Sequence, residues 1–124
     1  MIRVENIQKY FPIKDGFFNK KNGDVKAVEN VSFEIPEGEI LGLVGESGSG
    51  KSTLGRSLIR LIEPTNGKIF YNNEDITEFS EKEMRKLRKD FQIIFQDPYA
   101  SLDPRKKIFD IISQGISIHS KMNK

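Results

Sequence analysis

The sequence holds no cysteine, so disulfides and thiolate metal sites are excluded. No stretch approaches the roughly 18–20 consecutive apolar residues that a membrane-spanning helix needs. The opening residues Met1-Ile2-Arg3-Val4-Glu5-Asn6 lack the apolar core of a secretory signal. These absences predict a cytosolic chain with no direct membrane insertion, any membrane being supplied by another polypeptide. Charge of one sign is also scarce: 20 Lys and Arg oppose 18 Asp and Glu, leaving a net charge of +2. Nucleic-acid binding needs a concentrated positive field, so no nucleic acid is expected as partner. What is present, 124 residues with 36% hydrophobic and 31% charged, suits one modest folded domain or part of a larger one.

Hydrophobic spacing divides the chain. Ile2, Val4 and Ile7 with Tyr10 and Phe11 predict an opening strand, and the polar stretch Pro12 to Asp24 a loop. Val31, Phe33 and Ile35 recur at period two, as in a half-buried strand, before the turn Pro36-Glu37-Gly38-Glu39. Ile40-Leu41-Gly42-Leu43-Val44 is almost continuously apolar, the pattern of a strand covered on both faces in a parallel sheet. Leu54, Leu58, Leu61 and Ile62 then form one helical stripe. Lys68 to Tyr71 is a short strand, closed by a turn at Asn72-Asn73.

Ser80 with Glu83 forms a capping box that starts a helix at Glu81, with Met84, Leu87 and Phe91 on its apolar face. Lys82, Arg85, Lys86 and Lys89 line the opposite face, which reads as solvated rather than as a docking stripe. Phe91 to Phe95 is a second apolar strand. Asp103 before Pro104 caps a last helix whose buried stripe is Ile108, Ile111, Ile112 and Ile116.

Between the apolar run and the first helix lies Gly45-Glu46-Ser47-Gly48-Ser49-Gly50-Lys51-Ser52, followed by Thr53. This is the spacing G-x-x-x-x-G-K-[ST]. Phosphate is densely anionic and rich in acceptors, so its site needs donors packed close together. Gly45, Gly48 and Gly50 permit torsions closed to other residues and let backbone N–H groups approach. The following helix adds unpaired N–H groups and the positive end of its dipole. Lys51 would reach the β- and γ-phosphates, and the Ser52 hydroxyl would ligate Mg²⁺. Thr53 stands to help at the α-phosphate. A buried strand before and an amphipathic helix after make an accidental glycine-rich turn a poor explanation. The expected ligand is ATP with Mg²⁺.

Further on, Ile94-Phe95-Gln96-Asp97-Pro98-Tyr99-Ala100-Ser101-Leu102-Asp103-Pro104-Arg105 resembles the Q-loop of ATP-binding cassette (ABC) transporter ATPases, in the wording of the oligopeptide and dipeptide importers. Leu41 to Arg56 and Val25 to Phe33 are similar to the same branch, so the resemblance spans essentially the whole chain. Asp103 departs from the asparagine more usual there. The resemblance implies an α/β fold: a P-loop NTPase core with an N-terminal antiparallel β subdomain. Residues 1–38 would be mainly antiparallel β, 39–105 would run from Walker A to the Q-loop, and 106–124 would begin a helical subdomain. It also implies that Gln96 is a second Mg²⁺ ligand, sensing the γ-phosphate, and that Phe11, or else Tyr10, stacks on adenine. Stacking of this kind tolerates any base, so preference for ATP over GTP is expected to be modest.

Members of that family are about twice as long. The Leu-Ser-Gly-Gly-Gln signature, the Walker B Asp-Glu pair and the switch histidine do not occur in these 124 residues; the one histidine, His119, reads as an exposed helix-end residue. The chain is therefore expected to be an N-terminal fragment, truncated before the signature motif and Walker B. Hydrolysis needs a group that positions water against the γ-phosphate, so turnover by this chain alone is not expected. Missing sheet partners beside Ile40 to Val44 would also leave apolar edges open to aggregation.

The leading expectation is the ATP-binding part of a peptide importer. It would sit on the cytoplasmic face of the plasma membrane through transmembrane permease subunits and pair with a second ATP-binding subunit. The alternatives are a binding-only remnant, a non-functional truncated product, and a small-molecule kinase, which the Q-loop wording disfavours.

Overall fold

A computed structural model describes residues 1–15, 20–97 and 102–119. Its elements are β1 (Ile2–Asp15), β2 (Lys20–Ile35), α1 (Lys51–Leu58), β3 (Asn66–Tyr71), β4 (Glu74–Asp75), α2 (Glu81–Leu87) and α3 (Ile108–His119). The chain divides into two compact units, Met1–Met84 and Arg85–Lys124.

The first unit is built on an antiparallel sheet of order β2-β1-β3-β4. Val4 of β1 pairs with Phe33 on one side and Ile69 on the other, which seats its side chain in the core with Ile7, Val28, Leu54, Ile69, Ile76 and Met84. Burying each such side chain stabilises the unit by roughly 1.5–3 kcal/mol. The β1–β2 ladder is repeatedly offset. Two offsets coincide with asparagines in the left-handed region, Asn6 at φ 49° and Asn30 at φ 47°. Asparagine tolerates that region better than most residues, and the backbone N–H of Asn6 donates to Ser32 Oγ at 2.7 Å.

Several expectations hold. Val31, Phe33 and Ile35 are half-buried while Ser32 and Glu34 are exposed. The turn after β2 closes through Glu39 N–H to Pro36 O at 3.3 Å, with Gly38 at φ 80°. Asn72 and Asn73, at φ 50° and 68°, make the β3–β4 hairpin. The Ser80 capping box forms in both directions: Ser80 N–H donates to Glu83 Oε2 at 2.8 Å, and Glu83 N–H to Ser80 Oγ at 3.4 Å. Lys82, Arg85, Lys86 and Lys89 are exposed.

Others are corrected. The stretch predicted as a loop from Pro12 is largely strand, because β1 runs on to Asp15 and β2 begins at Lys20. Ile40 to Val44 and Phe91 to Phe95 form no strand; among the described residues no neighbour offers either a ladder, and both runs are irregular. Helix α1 stops at Leu58, short of Leu61 and Ile62. Its end is a Schellman motif, with Arg60 N–H to Ser57 O and Leu61 N–H to Arg56 O both at 2.9 Å. Arg60, not glycine, takes the left-handed position at φ 51°. Its guanidinium holds it there by donating to Ile76 O at 2.9 Å and Phe79 O at 2.7 Å.

Helix α2 ends at Leu87, so Phe91 lies outside it. In the second unit α3 begins at Ile108, not after Asp103, which instead accepts from Arg105 N–H at 3.0 Å in a turn. Ile108, Ile112 and Ile116 are exposed rather than buried.

Candidate functional site

The glycine-rich loop turns tightly. Ser49 N–H donates to Glu46 O at 3.2 Å, and Gly48 and Gly50 have φ of 82° and 92°. Gly50 is required twice. Beyond its left-handed torsion, a Cβ there would lie 2.1 Å from the Ala27 carbonyl oxygen. Ala27 is the extra residue of β2 where the register passes from Lys9↔Val28 to Tyr10↔Lys26, so a bulge in the sheet presses the strand backbone onto the loop. At Gly45 a Cβ would meet only side-chain atoms, the nearest being Ser49 Oγ at 2.9 Å, a flexible neighbour.

Helix α1 opens directly from Gly50, with Leu54 N–H to Gly50 O at 2.8 Å as its first bond. Gly50 has no side chain to cap it, and no acidic residue occupies the first turn. The N–H groups of Lys51, Ser52 and Thr53 therefore open the helix without intrahelical acceptors, and the positive dipole end is not offset by a carboxylate. Lys51 Nζ folds over the loop, donating to Gly45 O at 2.7 Å, Glu46 O at 2.5 Å and Ser49 Oγ at 3.2 Å. An ammonium carries three donors and no acceptor, so three acceptors saturate it. Ser47 and Ser52 are exposed and Thr53 is half-buried. A cavity of about 450 Å³ adjoins the loop, lined by Val28, Gly45, Ser49, Gly50, Lys51 and Leu54 among others. Another, of about 500 Å³, lies beside Arg60, Glu63 and Thr77, with no residue of the loop in its wall.

The two aromatic candidates differ in their engagement. Tyr10 Oη donates to Glu29 Oε1 at 2.8 Å, and Lys26 Nζ stands 3.2 Å from Glu29 Oε2. The bond to Glu29 raises the Tyr10 pKa; in return Tyr10, then Lys26, lowers that of Glu29. Phe11 is 39% exposed with no such tie. Gln96 is exposed in the second unit, in a segment without regular structure. Pro98 to Ser101 of the Q-loop wording lie outside the described residues; His119 closes α3, its side chain likewise outside them.

The sequence pattern of the ABC transporter family matches residues 28–124. The chain belongs to the ABC transporter family. Its relatives include the oligopeptide transport ATP-binding protein AppF of Bacillus subtilis (strain 168), 50% identical over 121 residues that make up 97% of this chain and 37% of AppF. The glutathione import ATP-binding protein GsiA of Escherichia coli (strain K12) is 50% identical over 119 residues, 96% of this chain and 19% of GsiA. Among solved structures, the dimeric post-hydrolysis state of the ATP-binding cassette MJ0796, bound to ADP and Pi, superposes with a TM-score of 0.83 at 25% identity. That match covers 100% of this ABC chain and 50% of the cassette. The chain thus spans about half of the cassettes it resembles and 37% of AppF.

Sequence reasoning located the loop but missed Ala27, whose carbonyl fixes Gly50. No local signal marks Ala27; only the offset between β1 and β2 does.

Proposed function

We propose that this chain binds MgATP and, within a complete ABC assembly, helps energise the import of peptides. The uncapped start of α1 behind Gly50 carries the reading, because its free N–H groups, positive dipole end and adjacent Lys51 ammonium suit a polyphosphate. The backbone from Gly45 through Glu46, Ser47, Gly48 and Ser49 to Gly50 cradles the phosphates, with Thr53 beside them. Lys51 exchanges its carbonyl contacts for phosphate oxygens. Ser52 and Gln96 would hold Mg²⁺, which when bound would supply positive charge against the polyphosphate. Phe11 stacks on the base; its ring is exposed and is not held in place by a hydroxyl bond of the kind that ties Tyr10 to Glu29.

The names of AppF and GsiA support a peptide as cargo, and the dimeric cassettes support a second ATP-binding subunit as partner. Permease subunits would hold the chain at the cytoplasmic face of the membrane; no described helix is long and apolar enough to cross it. The 124 residues alone bind without turnover, having no Walker B glutamate to position water. Titration calorimetry with MgATP tests the site: binding is expected, weakened at least about tenfold in Lys51→Ala, with phosphate release at background. Equal affinity in Lys51→Ala and the unaltered chain, both folded by circular dichroism, would sink the reading.

A further inference from the structure

Lys9 of β1 places its ammonium 5.0 Å from the centroid of the Phe11 ring. The ladder explains how it gets there. Offsets flank Lys9 on both sides, between Ile7 and Lys9 and between Lys9 and Tyr10, and such bulges re-aim side chains. Lys9 also pairs across the ladder with Val28, the neighbour of Ala27, and a Cβ on Gly50 would lie 3.9 Å from Val28 Cγ2. One irregular stretch of sheet therefore sets both the Phe11 ring and the phosphate loop. Among the described residues no carboxylate pairs with Lys9.

We infer that Lys9 is a positioning residue for nucleotide binding, clamping one face of Phe11 so that the other is presented to the base. The inference rests on the stacking role proposed above for Phe11. Two aromatic faces repel when stacked directly because both are electron-rich. A cation on the far face draws density away and also restricts the ring's rotation. Tyr10, by contrast, is held by its hydroxyl, and its Lys26 neighbour at 5.4 Å is tied to Glu29.

The test uses the full chain with two ligands, MgATP and inorganic tripolyphosphate, the second having no base. Lys9→Met keeps the apolar stem and removes the charge. It should weaken MgATP by about two- to fivefold, the size of an exposed cation–π contact, and leave tripolyphosphate unchanged; Lys9→Arg should restore the affinity. In a Phe11→Leu background, Lys9→Met should have no further effect. Equal weakening of both ligands, or the same loss with and without Phe11, would make Lys9 a general electrostatic contributor and overturn the inference. A Phe11→Leu variant that binds MgATP normally would instead remove the stacking reading beneath it. Proton NMR without nucleotide tells these failures apart. The Lys9 ε-methylene should be shifted upfield by the ring and should lose that shift in Phe11→Leu; no shift in the unaltered chain would refute the contact itself.

Discussion

Val4, Ile7, Ile69 and Ile76 are 1%, 0%, 1% and 0% exposed, whereas Ile40, Val44 and Ile94 are 96%, 94% and 92% exposed. The second group belongs to the more continuously apolar sequence, yet it is the first that forms the core, with Val4, Ile7 and Ile69 in strands and Ile76 just after β4. The difference lies in the backbone. Ile2 to Val4 find hydrogen-bonding partners on both sides, in β2 and β3, so forming the strand satisfies the main chain and buries the side chains together. Neither Ile40 to Val44 nor Phe91 to Phe95 has a ladder partner among the described residues. Apolarity makes a segment suitable for a sheet interior, but neighbours decide whether it becomes a strand.

That contrast is open to attack at both ends. Ile7→Ala should cost about 2–5 kcal/mol in denaturant unfolding, the range for emptying a packed aliphatic site. A cost below about 1 kcal/mol would show that the antiparallel core is loosely packed and the comparison false. Arg60→Ala should follow at about 2–4 kcal/mol, because it strips the Ile76 and Phe79 carbonyls of a charged donor on a side chain only 8% exposed. Thermal unfolding checks it, and an unchanged midpoint would mean that the guanidinium does not hold the end of α1.

Asp75 gives a smaller effect with a pH signature. Hydrogen bonding from Thr77, then Lys68, holds its carboxyl below the usual range; Thr77 N–H donates to Oδ1 at 2.9 Å. Its contribution is complete above the ordinary carboxylate pKa and is lost as pH falls through the depressed one. Asp75→Asn should therefore be less stable than the unaltered chain at pH 7, and the gap should close as pH falls through the depressed carboxyl pKa. A gap independent of pH would rule out the ionised carboxylate as its source. The smallest effect is expected at Val44→Ser, within about 0.5 kcal/mol, since a nearly fully exposed side chain gives up little on replacement. A loss above about 1 kcal/mol would mean that the run is buried in solution, and the two regions would no longer differ.

Legibility from sequence follows the range of each interaction. The capping box at Ser80, the Asn72-Asn73 turn and the loop from Gly45 to Ser52 were readable because each is settled within a few residues. The strand readings at Ile40 to Val44 and Phe91 to Phe95 failed because a continuous apolar run reports the environment it requires, not the one it has. The early end of α1 escaped notice because Arg60 is an unusual residue for the left-handed position. What holds it there, the carbonyls of Ile76 and Phe79, lies 16 and 19 residues away.

The sequence alone determined the glycine-rich loop, the family resemblance and the charge placed beside the loop, since glycine spacing and an adjacent lysine are properties of a short contiguous stretch. Only the tertiary structure decided that Gly50 must admit the Ala27 carbonyl, that Tyr10 is tied to Glu29 while Phe11 is not, and that Lys9 stands over the Phe11 ring. Each of these depends on where β2 bulges against β1, and the offset of a ladder is a property of two strands meeting in space.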